Sequence, residues 1–313
     1  MNVKSTREAA VRALIEQADA DTRVVAISPD AVLAGRLVPF KEKHPDRVIE
    51  VGIAEQDAVD IAAGMATTGM IPVVVSYAGF LTMRACEMIR TFVAYPGLNV
   101  KFIGLNGGMF GGEREGVTHQ FYEDVGILRS MPGVAVLTPA DAGQAYRAAK
   151  AMFDIDGPAY LRLGSGREYE VFPEETPFVF GKIREVLRKG DDVAVFASGF
   201  VMGRALEAVE RLAGEGVNAT LVDVSTIKPL DEDGVAAVLR RCGRAVTVED
   251  HNIYGGLGSA ICETACLRHP CRVVRLGLPD VYPRSGNPDK LLDAYGLSVE
   301  SIIAGAKQAM AQG

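Results

Sequence analysis

Short apolar runs alternate with helical patterns along nearly all of this 313-residue chain, and that alternation leaves few folds open. Such a rhythm is the mark of βαβ units, whose helices cover a parallel sheet. Runs at 24–28, 48–51, 71–76, 100–105, 134–138 and 159–163 read as strands, with helices near 4–19, 55–68, 79–94, 120–130 and 140–153. Residues 1–165 are therefore expected to form one doubly wound α/β domain. The stretch 166–182 (GREYEVFPEETPFVFGK) has two prolines and no helical period, and reads as a linker. The rhythm then resumes with strands at 193–197, 218–222, 245–248 and 273–276 and helices at 201–213, 231–241, from 257, and 298–311. Residues 183–313 make a second α/β domain.

Composition narrows the function classes. With 48% hydrophobic and 23% charged residues the chain has the material for full globular cores. A net charge of −7 argues against a nucleic-acid surface, and no apolar run is long enough to span a membrane. The N-terminal sequence MNVKSTREAA has no signal-peptide core, which points to the cytoplasm. Five cysteines without paired spacing suit reduced thiols. Cys262, Cys266, His269 and Cys271 cluster, but C-x3-C-x2-H-x-C lacks the paired knuckles of a zinc site, so no metal is expected there.

The segment VGIAEQDAVDIAAGMATTG, 51–69, bears most on chemistry. Gly52 turns the chain out of a strand end, and a small-residue helix follows with Glu55 in its first turn. That edge of a parallel sheet is where open α/β folds bind ligands. On spacing alone a carboxylate there is also accounted for by the free amides of the turn, so two readings stay open. GIAEQDAVDIAAGMA further resembles the cofactor-activating segment of the transketolase family, the thiamine-diphosphate enzymes that include deoxyxylulose-phosphate synthase. The resemblance implies that Glu55 hydrogen-bonds a ring nitrogen of the cofactor's aminopyrimidine and so activates the cofactor. A carboxyl group that donates must stay protonated, which calls for a dry site.

The resemblance runs through both domains, with landmarks at Lys228-Pro229-Leu230-Asp231 and in VTVEDHNIYGGLGSAICE, 246–263. It implies a pyrimidine-binding domain followed by a transketolase C-terminal domain. The family also needs a diphosphate-binding domain that holds a divalent metal through a Gly-Asp-Gly motif, and this sequence contains no Gly-Asp-Gly. The glycine-rich YGGLGS, 254–259, follows acidic Glu249-Asp250 and lacks a P-loop lysine, so it reads as a loop-to-helix turn. A partner subunit is therefore expected to hold the diphosphate with Mg2+ or Ca2+, in a heterotetramer with two copies of each chain.

Further site residues follow from the same resemblance. GEREGVTHQFYEDVGILRSMPG, 112–133, is similar to the family's Gly-Asp-Gly-x-Thr-His-Gln segment. His119 takes the position facing the substrate's hydroxyl-bearing carbons, and Glu115 that of an aspartate which binds a hydroxyl. SYAGFLTMRACEMIRTFVAYPGLNVKFIG, 76–104, resembles the wall of the aminopyrimidine pocket, with Phe80 at the stacking position and Met83 and Cys86 where aromatics are usual. Asp30 matches an aspartate near the cofactor. Arg7 and Arg162 match two arginines that clamp a substrate's terminal phosphate, although Ala34 and Gly107 replace a serine and a second histidine. The resemblance thus implies transfer of a two-carbon ketol unit from a ketose, expected to be phosphorylated, to an aldose. A deoxyxylulose-phosphate-synthase-like or 2-oxo-acid dehydrogenase beta-type enzyme is the rival, and a non-catalytic partner-binding remnant a third reading.

Overall fold

The computed structural model describes residues 3–111, 115–173 and 175–311. The first part runs β1 (Val3–Lys4), α1 (Thr6–Ala20), β2 (Val24–Ser28), α2 (Val38–Lys43), β3 (Val48–Glu50), α3 (Glu55–Thr67) and β4 (Ile71–Tyr77). A helical run follows in which π-helical turns, Phe80–Arg84 and Ile89–Ala94, flank the short α4 (Cys86–Met88). Then come β5 (Lys101–Leu105), α5 (Asp124–Arg129), β6 (Ala135–Leu137), α6 (Ala142–Met152), β7 (Ala159–Arg162) and β8 (Glu168–Tyr169). The second part comprises β9 (Arg184–Arg188), β10 (Val193–Ser198), α7 (Met202–Gly214), β11 (Ala219–Asp223), β12 (Thr226–Lys228), α8 (Glu232–Cys242) and β13 (Arg244–Asn252). It ends with α9 (Leu257–Arg268), β14 (Arg272–Leu278), α10 (Pro288–Ala294) and α11 (Val299–Met310).

Seven strands form the first sheet, in the order β12-β6-β7-β5-β4-β2-β3. All pair in parallel except β12, which lies antiparallel on β6. The second sheet, β14-β13-β10-β11-β9, is parallel but for β9. β2, β5, β6, β7, β10 and β11 are buried at every residue, as strands covered by helices on both faces must be. Helix starts are set locally. Ser5 accepts from the Glu8 amide, Asp141 from Gln144 and Asp231 from Gly234, each satisfying an amide of a first turn.

The two halves are more interwoven than a linker reading suggests. β12 comes from the second half yet completes the first sheet. β8 pairs with β1, so part of the expected linker lies against the chain's first strand. One apolar cluster carries Val59, Val74 and Phe102 of the first half together with Phe196, Val222 and Leu239 of the second. The helix expected at 120–130 is broken. Only α5 forms there, because Phe121 pairs with Gly107 and Gly108 in the loop after β5; a 3-10 turn (Gly116–His119) lies before it. Among the described residues no helix is long and apolar enough to cross a membrane.

Candidate functional site at the carboxyl end of the first sheet

Gly52, at φ 72°, turns the chain after β3, and α3 starts at Glu55 behind Ala54, whose side chain can cap nothing. The apolar face of α3, Ala58, Val59, Ala62 and Ala63, packs into the core and pins the helix. Glu55 is thereby fixed with its side chain only 2% exposed. The dry setting is present, but the carboxylate's partner is a cation: Arg84 Nη1 donates to Oε2 at 2.7 Å. Phe80 and Arg84 stand four residues apart on one helical face, and the guanidinium lies over the Phe80 ring, 4.2 Å from its centroid. A planar group that offers N–H to Glu55 and its face to Phe80 fits this place, as the guanidinium itself demonstrates.

Phe80 is the hub of an aromatic cluster. Its ring meets His119 edge-on at 5.3 Å, Phe121 at 5.4 Å and Tyr77 at 5.5 Å, and Tyr77 meets His119 at 5.0 Å. Gly79 makes this possible, because a Cβ there would sit 2.0 Å from the Phe121 ring. The His119 imidazole is half-buried, with Nδ1 3.1 Å from the Thr118 hydroxyl. Glu55, Phe80 and His119 are thus gathered in one place. Tyr77, Arg84 and Phe121 join them, although sequence reasoning assigned them no role. The only signal for them was their place within or beside the resembling segments.

The other expected residues stand differently. Met83 is 43% exposed and Cys86 packs against the core, where burial pushes its thiol up. Asp30, exposed and at φ 55°, donates its amide to Glu50. Glu115 is exposed at the start of the 3-10 turn, while 112–114 lie outside the described residues.

Arg7 and Arg162 are each held by groups of the fold. Arg7 donates to the carbonyls of Gly164 and Ala34 and to Asn106 Oδ1. Arg162, with a side chain 4% exposed, donates to Asp124 Oδ2 at 2.8 Å and to the carbonyls of Phe121 and Asp250 at 3.1 and 2.9 Å. Tyr160 shares the same Asp124 oxygen at 2.6 Å. The Asp250 carboxylate accepts the Met109 amide across the junction of the halves. Both arginines are thus anchored within the fold by these bonds. Gly107 leaves room for one of them, since a Cβ there would sit 2.6 Å from Arg162 Cγ. In the glycine-rich turn, Glu249 accepts the Leu257 and Gly258 amides at the start of α9, so those donors are occupied. Among the described residues no group of three His, Cys, Asp or Glu side chains could hold a metal ion.

Residues 3–167 match the transketolase pyrimidine binding domain and residues 181–302 the transketolase C-terminal domain. The chain belongs to the transketolase family. Transketolases depend on thiamine diphosphate, and this chain carries their pyrimidine-binding half. It is 38% identical over 304 residues to the 6-deoxy-6-sulfo-D-fructose transketolase subunit SqwH of Clostridium sp. (strain MSTE9), covering 96% of this chain and 93% of that one. It is 34% identical to one of the apulose-4-phosphate transketolase subunits of Phocaeicola vulgatus, covering 96% of each. A solved split gene transketolase, described as an inactive beta4 tetramer, superposes with a TM-score of 0.89 at 35% identity over 99% of both chains. The Glu55–Phe80 place thus falls in a domain whose family function is pyrimidine binding.

Proposed function

We propose that this chain is the C-terminal subunit of a two-component, cytoplasmic transketolase that moves a two-carbon ketol unit from a ketose to an aldose. The observation that carries the reading is a buried acid beside an aromatic face at the carboxyl end of a parallel sheet. Glu55 holds the aminopyrimidine edge and shares a proton with its ring nitrogen. Phe80 supports the ring face. Thiamine diphosphate, when bound, would supply a carbon nucleophile for the ketol carbonyl and an electron sink for the neighbouring carbon–carbon bond. His119, set by Tyr77 and Phe80, holds or moves a proton at the substrate's hydroxyl oxygen.

An N-terminal partner chain with the Gly-Asp-Gly motif holds the diphosphate and its Mg2+ or Ca2+, and two copies of each chain make the working heterotetramer. The sequence lacks that motif, and the relatives named above are themselves called subunits. The five free cysteines agree with a reducing compartment. A sugar or sugar phosphate is the substrate class.

The test is exchange of the cofactor's thiazolium proton into deuterated water, measured in the assembled pair without substrate. Glu55→Gln keeps the shape and removes the transferable proton. Exchange should slow by about 10² to 10⁴, the range for a positioned acid or base. Stability should fall by no more than about 1 kcal/mol, since the ion pair lost with Arg84 is half open to water. Wild-type exchange in Glu55→Gln, or turnover by this chain alone, would refute the assignment.

A further inference from the structure

We propose that the Arg84 guanidinium is a placeholder for the aminopyrimidine: it fills the pyrimidine subsite in the cofactor-free chain and must swing out before the cofactor can enter. The inference rests on the reading of Glu55 and Phe80 as that subsite. Both of those groups are already engaged by one side chain, through Oε2 of Glu55 at 2.7 Å and the Phe80 ring at 4.2 Å. A guanidinium and a 4-aminopyrimidine share the features these groups recognise. Each is flat, each presents an N–C–N edge, and each can donate N–H to a carboxylate while lying on an aromatic face. They compete for one oxygen and one ring face.

The geometry also shows why a placeholder is needed and how it can leave. A carboxylate as buried as Glu55 is costly without a partner, and Arg84 supplies one. The acid side chain is 2% exposed and the arginine 46%, so the guanidinium lies between Glu55 and open water. Its backbone is held, because the Arg84 carbonyl accepts from Gln56 Nε2 at 3.1 Å and the Ala85 amide reaches back to the Phe80 carbonyl. With the backbone held and the side chain half exposed, rotation about the side-chain bonds is the route by which the guanidinium would clear the subsite. Turns of π-helix, as at Phe80–Arg84, are frequent at functional sites and here set the stacking pair.

The proposal makes Arg84 a brake on cofactor entry rather than a ligand for it. Arg84→Met keeps the stem and removes the ion pair and the cation over the ring. Titration calorimetry of the assembled wild-type and variant pairs with thiamine diphosphate and Mg2+ should show the variant binding about tenfold tighter, the combined worth of the two lost contacts. In wild type, the ¹⁵N-detected Arg84 side-chain signal should shift on saturation toward that of a solvated arginine. Equal or weaker binding by Arg84→Met, with wild type binding normally, overturns the placeholder and makes Arg84 a support for Glu55. A wild-type pair that takes up no cofactor removes the subsite reading itself, and the placeholder with it. Circular dichroism melts of both chains check that the variant is folded.

Discussion

Replacing Arg162 separates a structural strut from a substrate clamp, because the two roles predict opposite patterns of damage. Arg162 is buried at the end of β7, where Nε meets Asp124 Oδ2 at 2.8 Å and Nη2 bridges two carbonyls, one of them in the second half of the chain. Arg162→Met retains most of the stem's packing but strands the Asp124 carboxylate, which has no exposed side-chain surface. Breaking a buried pair from one side costs about 3–5 kcal/mol, chiefly through the uncompensated charge. Urea unfolding of the full chain, followed by circular dichroism, should show a loss of that size. The double variant Arg162→Met/Asp124→Leu removes both charges and should recover roughly half of it or more, giving a coupling energy well above 1 kcal/mol. In the assembled enzyme, kcat/KM for a phosphorylated ketose should change in step with that for the free ketose. A variant within about 1 kcal/mol of wild-type stability that loses tenfold selectively on the phosphorylated donor would refute the strut and restore the clamp.

Two further outcomes follow from buried groups. Asp223 is fully enclosed, and desolvation lifts its carboxyl to about 6 despite a hydrogen bond from Gln144. Between about pH 4 and 6 the folded state keeps a proton that the unfolded state has lost, so stability falls as pH rises through that window, by about 3 kcal/mol in all. Asp223→Asn should flatten that part of the stability profile relative to wild type, and parallel profiles in pH-stepped urea melts would sink the argument. Gly107→Ala places a methyl 2.6 Å from Arg162 Cγ and should destabilise by about 1–3 kcal/mol in a thermal melt. A wild-type melting curve would mean that Arg162 can give way.

What the sequence made legible was local. The strand, Gly52 and the first turn of α3 lie within a few residues of one another, so the place of Glu55 at the start of a helix beyond a strand end could be inferred from one short window. The alternation of apolar runs likewise marked the parallel strands of both sheets, because each carries its own pattern, but it missed the antiparallel edge strand β9. β12 was not legible: three residues before a proline have no period, and their pairing with β6 spans about ninety positions. Short α2 and α10 were missed for the same lack of period.

The arginines show where residue type ceases to inform. Arg162 sits in a motif that resembles a phosphate clamp, yet its role is decided by Asp124, 38 positions before it, and Asp250, 88 positions after it. Nothing near Arg162 in sequence signals that Asp124 and two carbonyls engage it inside the protein. Arg84 is the reverse case. Its sequence window was noticed for Phe80, while the arginine reads as an ordinary solvated helical residue until Glu55, 29 positions earlier, is brought beside it. In both cases the charge is plain and its partner is not, because a buried ion pair is a property of the fold.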